Sequence, residues 1–464
     1  VAVTGESASA STDLDRGVQD VLASAGIRVT VTGTRRLTAG ASRETYLIDL
    51  LDADGTVGRA VLRRDPPGRG DPARMHAEAV CLRAVSESGV RVPRVWCSGD
   101  DSPGIDAPFL IVEHVSGETL PRKLQHGPAL AAVRPNLAAE FGRILARVHR
   151  TPLAGMEILD DTPALEALES TFRNLGLPNP TVELGLRWLR ATPVPARPMT
   201  LVHGDFRVGN LIVDADGVQA VLDWELSHLG NPVEDLGWLC VPAWRFGGGQ
   251  PVGGLGTRET LLDGYESEAG WRPSDDELRW WEIFGTLKWL VLSIFQSQRH
   301  LSGEEHSLEL AAIGRRVCEF EYDLLESLGM LVDVPLPESE SDSAASESPY
   351  RGPTLTEILA LVSEAITDAR PLLDGDLQQQ YQLRIAANLL RIAEREVLAG
   401  STAATALTDA LHSVGCESEH QLAQRVQSGE LDWSAAGTQR AVSSTVLLRL
   451  RVSNPGRIRY RTTS

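Results

Sequence analysis

Paired cysteines, long apolar runs and an excess of positive charge are all missing from this 464-residue chain. Its five cysteines, Cys81, Cys97, Cys240, Cys318 and Cys416, are odd in number, and no two stand at a metal-ligand spacing. A disulfide framework is therefore not expected, and a reducing, cytoplasmic setting is. The most apolar stretch, Ile283 to Phe295, is too short for a bilayer and contains Lys288, so no membrane association is expected. The first twelve residues hold no Lys or Arg and no apolar core, which gives no sign of a secretory leader. With 44 basic and 63 acidic residues the formal net charge is −19, a balance that argues against nucleic acid as a partner. Such a charge serves solubility first and would also suit a cationic partner.

What is present reads as globular. Hydrophobic residues make up 42% and charged residues 23%, and the length implies more than one domain. Residues 335–353, PLPESESDSAASESPYRGP, are rich in proline, serine and acids and nearly free of large apolar side chains. Such a segment cannot bury enough surface to offset its ordering entropy, so it is expected to be a linker.

Before the linker, Val29–Thr34, Glu44–Leu51 and Ala60–Arg64 are short β-rich runs, with a small-residue turn at Thr38–Arg43 and another turn at Asp52–Gly55. Arg74–Ser88 is expected to be helical, stopped by Gly89, and Pro108–Val115 to be a strand. Leu137, Phe141, Ile144, Leu145 and Val148 recur at helical spacing within Arg134–His149. Leu201–Asp205 reads as a strand entering a loop. Leu211–Val213 and Ala220–Leu222 flank Asp214-Ala215-Asp216-Gly217, a strong hairpin turn. After Asp235 the pattern is mostly helical, apart from the glycine-rich loop Gly247–Gly256. Beyond the linker, Leu355–Ala369 and Gln378–Ala399 read as helices, the second capped by Gly400.

Chemistry concentrates between Leu201 and Cys240. Asp205 and Asn210 share one loop, and the hairpin would fold Asp223 back beside them, so that a carboxylate, an amide oxygen and a second carboxylate surround one point. Each residue alone could be a turn former bonding its own backbone. As a set they fit phosphoryl transfer, which needs positioning, charge neutralisation and hard-oxygen ligands for magnesium. His203 either shapes the loop or takes part directly. Arg207 either reaches the γ-phosphate or pairs with a nearby acid, and Glu225 is either a surface charge or a second acid near the metal or substrate. Trp244, Arg245 and Phe246 either pack into the core or offer aromatic rings and a cation to an anionic or acyl substrate.

The run His203-Gly204-Asp205-Phe206-Arg207-Val208-Gly209-Asn210, followed by Leu222-Asp223-Trp224-Glu225, resembles the aminoglycoside phosphotransferase and choline kinase superfamily, relatives of the protein kinases. More narrowly, it resembles the kinase-like domain fused to some acyl-CoA dehydrogenases and its free-standing bacterial homologues, from about Arg36 to Leu331. The resemblance implies an α+β, two-lobed protein-kinase-like fold, with a β-rich N-lobe at 14–115 and a mostly helical C-lobe at 116–333. After a linker at 334–353, residues 354–464 resemble a small, all-helical domain of unknown function found behind kinases of this branch. Their stretch Arg449–Pro455 fits that domain's C-terminal end.

The implied activity is transfer of a phosphoryl group from ATP, or another nucleoside triphosphate, with Mg2+, to a hydroxyl of a small molecule. By the resemblance, Asp205 is the catalytic aspartate, accompanied by His203 and Arg207, and Asn210 and Asp223 hold the metal. The turn containing Gly40 and Ser42 covers the phosphates, and Glu113 and Val115 in the hinge meet adenine. Arg63 stands at the usual strand lysine, with Glu78 as its helix partner; guanidinium and ammonium are not equivalent donors. Asp235 matches an aspartate that braces the catalytic loop from a helix N-terminus. Hydroxy acids or hydroxyacyl-CoA thioesters are one implied acceptor class, and aminoglycosides or other amino-alcohols another. A nucleotide-binding pseudokinase acting as an interaction module is the non-enzymatic alternative. The amphipathic C-terminal helices raise the expectation of a homodimer through that domain, or of a cover for the substrate mouth.

Overall fold

The structure, a computed structural model, describes residues 8–37, 43–52, 54–68, 70–337, 355–373 and 377–458. Gly40 and Ser42, and most of the expected linker, lie outside the described residues. The chain falls into two compact units, one drawn from residues 1–163 and 195–282, the other from 164–194 and 283–464.

The first unit opens with a helix in a stretch assigned no element from sequence, α1 (Ala8–Ser24). Leu14, Val18 and Leu22 recur every four residues and are at most 3% exposed, so α1 buries one stripe. The stripe packs on an antiparallel sheet of β1 (Val29–Leu37), β2 (Glu44–Asp52), β3 (Val57–Arg64), β4 (Val95–Gly99) and β5 (Phe109–Glu113), ordered β1-β2-β3-β5-β4. Tyr46, Ile48 and Leu50 of β2 alternate inward and meet Leu62, Phe109 and Ile111 in that core. Each such side chain contributes about 1.5–3 kcal/mol on burial. β4 was also unanticipated; all five of its residues are only half-buried, which blunts the alternation that marks a strand.

Between β3 and β4 runs α2 (Pro72–Glu87). Asp71 caps it by accepting from the Ala73 and Arg74 amides, and Pro72 fills the first turn. Its buried face carries Met75, Glu78, Ala79, Leu82 and Val85, so an acid lies among apolar residues. After β5 come α3 (Pro121–His126) and α4 (Leu137–His149), whose first turn is preceded by a 3-10 turn over Arg134–Asn136. The second unit takes α5 (Ala164–Asn174) and α6 (Pro180–Ala191).

The chain then returns to the first unit with three short strands and a fourth: β6 (Thr200–Val202), β7 (Leu211–Asp214), β8 (Gly217–Val221) and β9 (His228–Gly230). β7 and β8 form the expected hairpin, with Asp214 Oδ1 accepting from the Asp216 amide in the turn. α7 (Val233–Cys240) and α8 (Arg258–Ala269) follow, and α9 (Asp275–Leu301) begins in this unit.

The second unit continues with α10 (Leu308–Leu328), α11 (Leu355–Ala369), α12 (Leu377–His412), α13 (Glu419–Ser428) and α14 (Ala436–Ser453). Gly400 ends the first helical stretch of α12, as expected. It is a non-helical joint (φ 54°, ψ −152°), and the chain resumes helix beyond it to His412. The helices of residues 377–458 bond to earlier ones within this unit: Arg187 of α6 donates to the Val426 and Gln427 carbonyls, and Arg457 pairs with Asp323 of α10.

Candidate active site

The loop after β6 is fixed from beneath by Asp235, the third residue of α7, which is fully buried. Its Oδ2 accepts from the His203 amide at 2.8 Å and its Oδ1 from the Gly204 amide at 2.9 Å. His149, the last residue of α4, donates to the same carboxylate from Nε2 at 3.2 Å, and its Nδ1 bonds the Tyr265 hydroxyl of α8 at 3.0 Å. Burial would raise the Asp235 pKa, but the bond and charge of His149, with His203, overcome it and hold the carboxyl below its usual range. Burial pushes the Tyr265 phenol up. The loop turns tightly at Gly204, where φ is +80° and a Cβ would lie 2.3 Å from the Leu226 carbonyl oxygen, so only glycine fits.

His203 has no exposed surface. Its Nδ1 accepts from the Asp205 amide at 3.1 Å, and its Nε2 faces the Leu222 carbonyl at 3.0 Å. Those partners engage both ring nitrogens, Nδ1 as acceptor and Nε2 as donor. The ring thereby ties the loop to the residue before Asp223.

The Asp205 carboxylate, 9% exposed, receives donors from three sides: Arg207 Nε at 3.0 Å, Trp238 Nε1 at 2.9 Å and Asn210 Nδ2 at 2.6 Å. Asn210 Nδ2 also donates to the Asp205 carbonyl at 3.0 Å. Both protons of the Asn210 amide nitrogen are thus committed, and its carbonyl oxygen is the atom it can offer a cation. The Leu222 amide donates to the Asn210 carbonyl at 2.8 Å, which sets Asp223 beside this loop, as the hairpin register requires. Asp223 adopts a left-handed backbone, φ 67°. This conformation is strained for a residue with a Cβ, though least so for Asp and Asn.

Facing this group is a cluster of arginines and acids. Arg63 of β3 donates from Nη1 to Glu78 Oε1 and from Nη2 to Asp223 Oδ1, the latter at 2.8 Å. The expected Arg63–Glu78 pair is thus present, extended to Asp223. Burial works against the Arg63 charge, but Glu78, Asp223 and Glu225 outweigh it and hold the pKa above that of an ordinary arginine. The other Glu78 oxygen accepts from Arg43, the last residue of the expected small-residue turn, whose Nε also bonds Asp65 at 3.0 Å and lies 3.8 Å from Glu225. Glu225 therefore faces the cluster rather than open surface.

Arg207 stacks over the Trp244 ring at 4.7 Å, and Trp238 and Trp244 lie 5.2 Å apart. Both rings are buried, Trp238 2% and Trp244 6% exposed, so Trp244 packs into the core, and Arg207 completes this cluster beside Asp205. Arg245 is not part of it: its guanidinium bonds the Cys240 carbonyl and Glu282. Phe246 is 44% exposed. Glu113 closes β5, where its amide donates to the Arg94 carbonyl, and Val115 is half-buried just beyond. A cavity of about 610 Å³ opens beside this segment, lined by Arg91, His114, Ser116, Asp214 and Gln219 among others, but by no residue of the Asp205 loop.

Trp238, His149, Tyr265 and the Arg43–Glu78 bond were not anticipated. A signal existed for Trp238: it stands three residues after Asp235, on the same helical face. Among the described residues no group of three or more His, Cys, Asp or Glu is arranged to hold a metal ion, and no helix is long and apolar enough to cross a membrane. A cation here would rely on one amide oxygen and one carboxylate, with water completing the shell, a donor set that fits Mg2+.

A five-stranded N-terminal sheet, a helix glutamate paired to a strand arginine, and a braced Asp–Asn loop beside a hairpin aspartate define a kinase-like phosphotransferase. Residues 33–279 match the family model described as phosphotransferase enzyme family, and the chain belongs to that family. Residues 371–457 match a domain of unknown function, DUF6285. The chain is 27% identical over 346 residues to acyl-CoA dehydrogenase family member 10 of Mus musculus, covering 68% of this chain and 31% of that protein. It thus spans less than a third of that relative's length. A probable ketoamine kinase of Thermus thermophilus is 31% identical over 175 residues, 36% of this chain and 60% of that one. The fold is that of a solved structure from Ralstonia eutropha named as an aminoglycoside phosphotransferase, with TM-score 0.54 and 21% identity, covering 67% of this chain and 98% of that one.

Proposed function

We propose that this kinase moves the γ-phosphoryl group of ATP, with Mg2+, to the hydroxyl of a hydroxy acid or a hydroxyacyl thioester. The observation that carries this reading is the meeting of two bonded pairs, Arg63 with Asp223 at 2.8 Å and Asn210 with Asp205 at 2.6 Å, linked by the Leu222 amide on the Asn210 main-chain carbonyl at 2.8 Å. In it, Asp205 accepts a hydrogen bond from the substrate hydroxyl and aims its oxygen at the phosphorus. Arg207, Trp238 and Asn210 hold that carboxylate in one orientation. Arg207 also reaches toward the transferred group or an acidic substrate. Arg63, set by Glu78, grips the α- and β-phosphates, and Glu113 and Val115 meet adenine through main-chain groups. The turn with Gly40 and Ser42 covers the phosphates. Asn210 and Asp223 would hold the magnesium ion, which when bound neutralises charge between the phosphates. His203, with both ring nitrogens engaged, positions the loop.

The acyl preference draws support from Arg207, a cation held beside Asp205, and from the match to acyl-CoA dehydrogenase family member 10. A second acceptor class, cationic amino-alcohols or sugar amines, is favoured by the net charge of −19 and the match to a ketoamine kinase. A panel of hydroxy acids, hydroxyacyl thioesters and amino-alcohols, incubated with ATP and Mg2+ and read by mass spectrometry, separates them. Phosphorylation of amino-alcohols alone would overturn the acyl reading. Nucleotide binding without any transfer would favour the pseudokinase.

The homodimer reading is supported by α11, which buries Thr356 and Ser363 while Leu355, Ile358, Leu361 and Val362 are 44–58% exposed. Sedimentation of the full chain tests it; a monomer at high micromolar concentration would refute it.

A further inference from the structure

We infer that Arg63 stands in for the metal on Asp223, so that nucleotide and divalent cation can enter only by exchanging partners with it and therefore bind with strong positive coupling. The inference rests on the reading of Asn210 and Asp223 as metal ligands. Its own ground is the two-way bond of one guanidinium: Nη1 on Glu78 and Nη2 on Asp223 Oδ1 at 2.8 Å. A planar fork can hold two acids in fixed directions at once, which a point-charge ammonium does less well. The Arg63 side chain is 18% exposed and Asp223 32%, so the pair is poorly screened by solvent, while Asp223 stays within reach of it.

The surroundings allow the exchange. Glu78 does not depend on Arg63 alone, because Arg43 holds its second oxygen. Arg43 is itself anchored by Asp65 at 3.0 Å and lies 3.8 Å from Glu225. Arg63 can therefore turn Nη2 from Asp223 toward a phosphate while Nη1 stays on Glu78. Each ligand alone meets the wrong charge. A cation approaching Asp223 meets the Arg63 guanidinium, and a polyphosphate approaching Arg63 meets Asp223 and Glu225. Arriving together, the phosphate takes Nη2 and the cation takes the released carboxylate. Coupling of this kind is reciprocal, so each ligand must strengthen the other by the same factor.

The test uses the full chain and Mn2+ as the probe, with free Mn2+ followed by electron paramagnetic resonance, with and without ADP, the Mn2+ that ADP binds by itself being measured without protein and subtracted. In the parent, ADP is expected to tighten Mn2+ binding on the order of 10- to 100-fold. Arg63→Gln is expected to tighten Mn2+ binding in the absence of nucleotide by roughly 10-fold and to shrink the coupling, because removing the competing charge does what nucleotide does. Arg63→Lys, which keeps the charge, should retain most of the coupling. A parent whose Mn2+ affinity ignores ADP overturns the inference, whether or not the variants fold. So does a folded Arg63→Gln whose nucleotide-free Mn2+ affinity equals the parent's. If Asp223→Ala binds Mn2+ with ADP as the parent does, the metal-ligand reading itself fails, and the exchange falls with it.

Discussion

Asp205 meets three donors on a nearly buried carboxylate, and each can be removed singly. Asp205→Asn keeps the shape and removes the acceptor charge; turnover should fall about 10²–10⁴-fold, the range for a positioned acid–base group. Nucleotide affinity, measured by calorimetry, should stay within a few-fold, and a variant as fast as the parent would remove Asp205 from the chemistry. Trp238→Phe deletes one donor to that carboxylate and keeps most of the packing. A hydrogen bond to a charged group contributes about 1.5–3 kcal/mol, so turnover should drop on the order of 10- to 100-fold with nucleotide affinity unchanged. Equal turnover would make the indole bond incidental. At this scale legibility depended on locality. Asp205, Asn210 and Asp223 could be read together because a short loop and a two-stranded hairpin fix their spacing. His149 and Tyr265 come from two other helices, whose facing directions no local pattern specifies, whereas Trp238 shares a face of α7 with Asp235 and could have been read from it.

The crossing of α4 and α8 shows how elements deliver these residues. A Cβ on Gly142 would lie 2.1 Å from the Leu261 carbonyl, and one on Gly264 would lie 2.0 Å from the Ala139 carbonyl. The two backbones therefore approach through glycine on both sides, and that approach sets His149 against Tyr265 and Asp235. Gly264→Val should destabilise the chain by about 1–3 kcal/mol through overpacking, read by urea unfolding. An unchanged midpoint would mean the helices can separate at little cost. Asp235 adds a pH signature. Its folded pKa is depressed below the ordinary 3.8, so its stabilising contribution is present above that value and is lost as pH falls through the lower, folded one. Asp235→Asn should lower the thermal midpoint at pH 7, and the gap to the parent should close toward acid. A gap independent of pH would rule out the charge as the cause. Helix α4 was legible from its apolar spacing, and α2 from its stop at Gly89. α1 carried a readable but unassigned stripe of Leu14, Val18 and Leu22, and β4 has too little alternation to stand out.

Across the whole chain, the C-terminal helices share a core with α6 and α10 in the second unit. Leu422, Val426, Val446 and Leu450 are buried, and the acids of α10 meet arginines from α14 and beyond it. Asn179, which caps α6, donates to Glu321 Oε1 at 2.6 Å. Burial pushes the Glu321 carboxyl above its ordinary 4.5, partly offset by Arg449 and the Asn179 bond. A raised carboxyl costs stability as pH climbs from the unfolded value through the folded one. Glu321→Gln should therefore raise the thermal midpoint at pH 7 and lose that advantage below about pH 4.5; a lower midpoint at pH 7 would mean the charge is needed there. The helices of this region were legible from amphipathic pattern and a capping glycine. The seam was not, because Glu319, Glu321 and Asp323 read locally as a solvated face, and only partners more than a hundred residues distant make it an interior.

Phosphoryl transfer itself tests the central claim most directly. The full chain with ATP, Mg2+ and a panel of hydroxy compounds, followed by mass spectrometry, should yield one acceptor class heavier by a single phosphoryl group, and Asp205→Asn should yield almost none in the same time. A parent that binds nucleotide yet phosphorylates nothing, or an Asp205→Asn variant that matches it, would contradict the account.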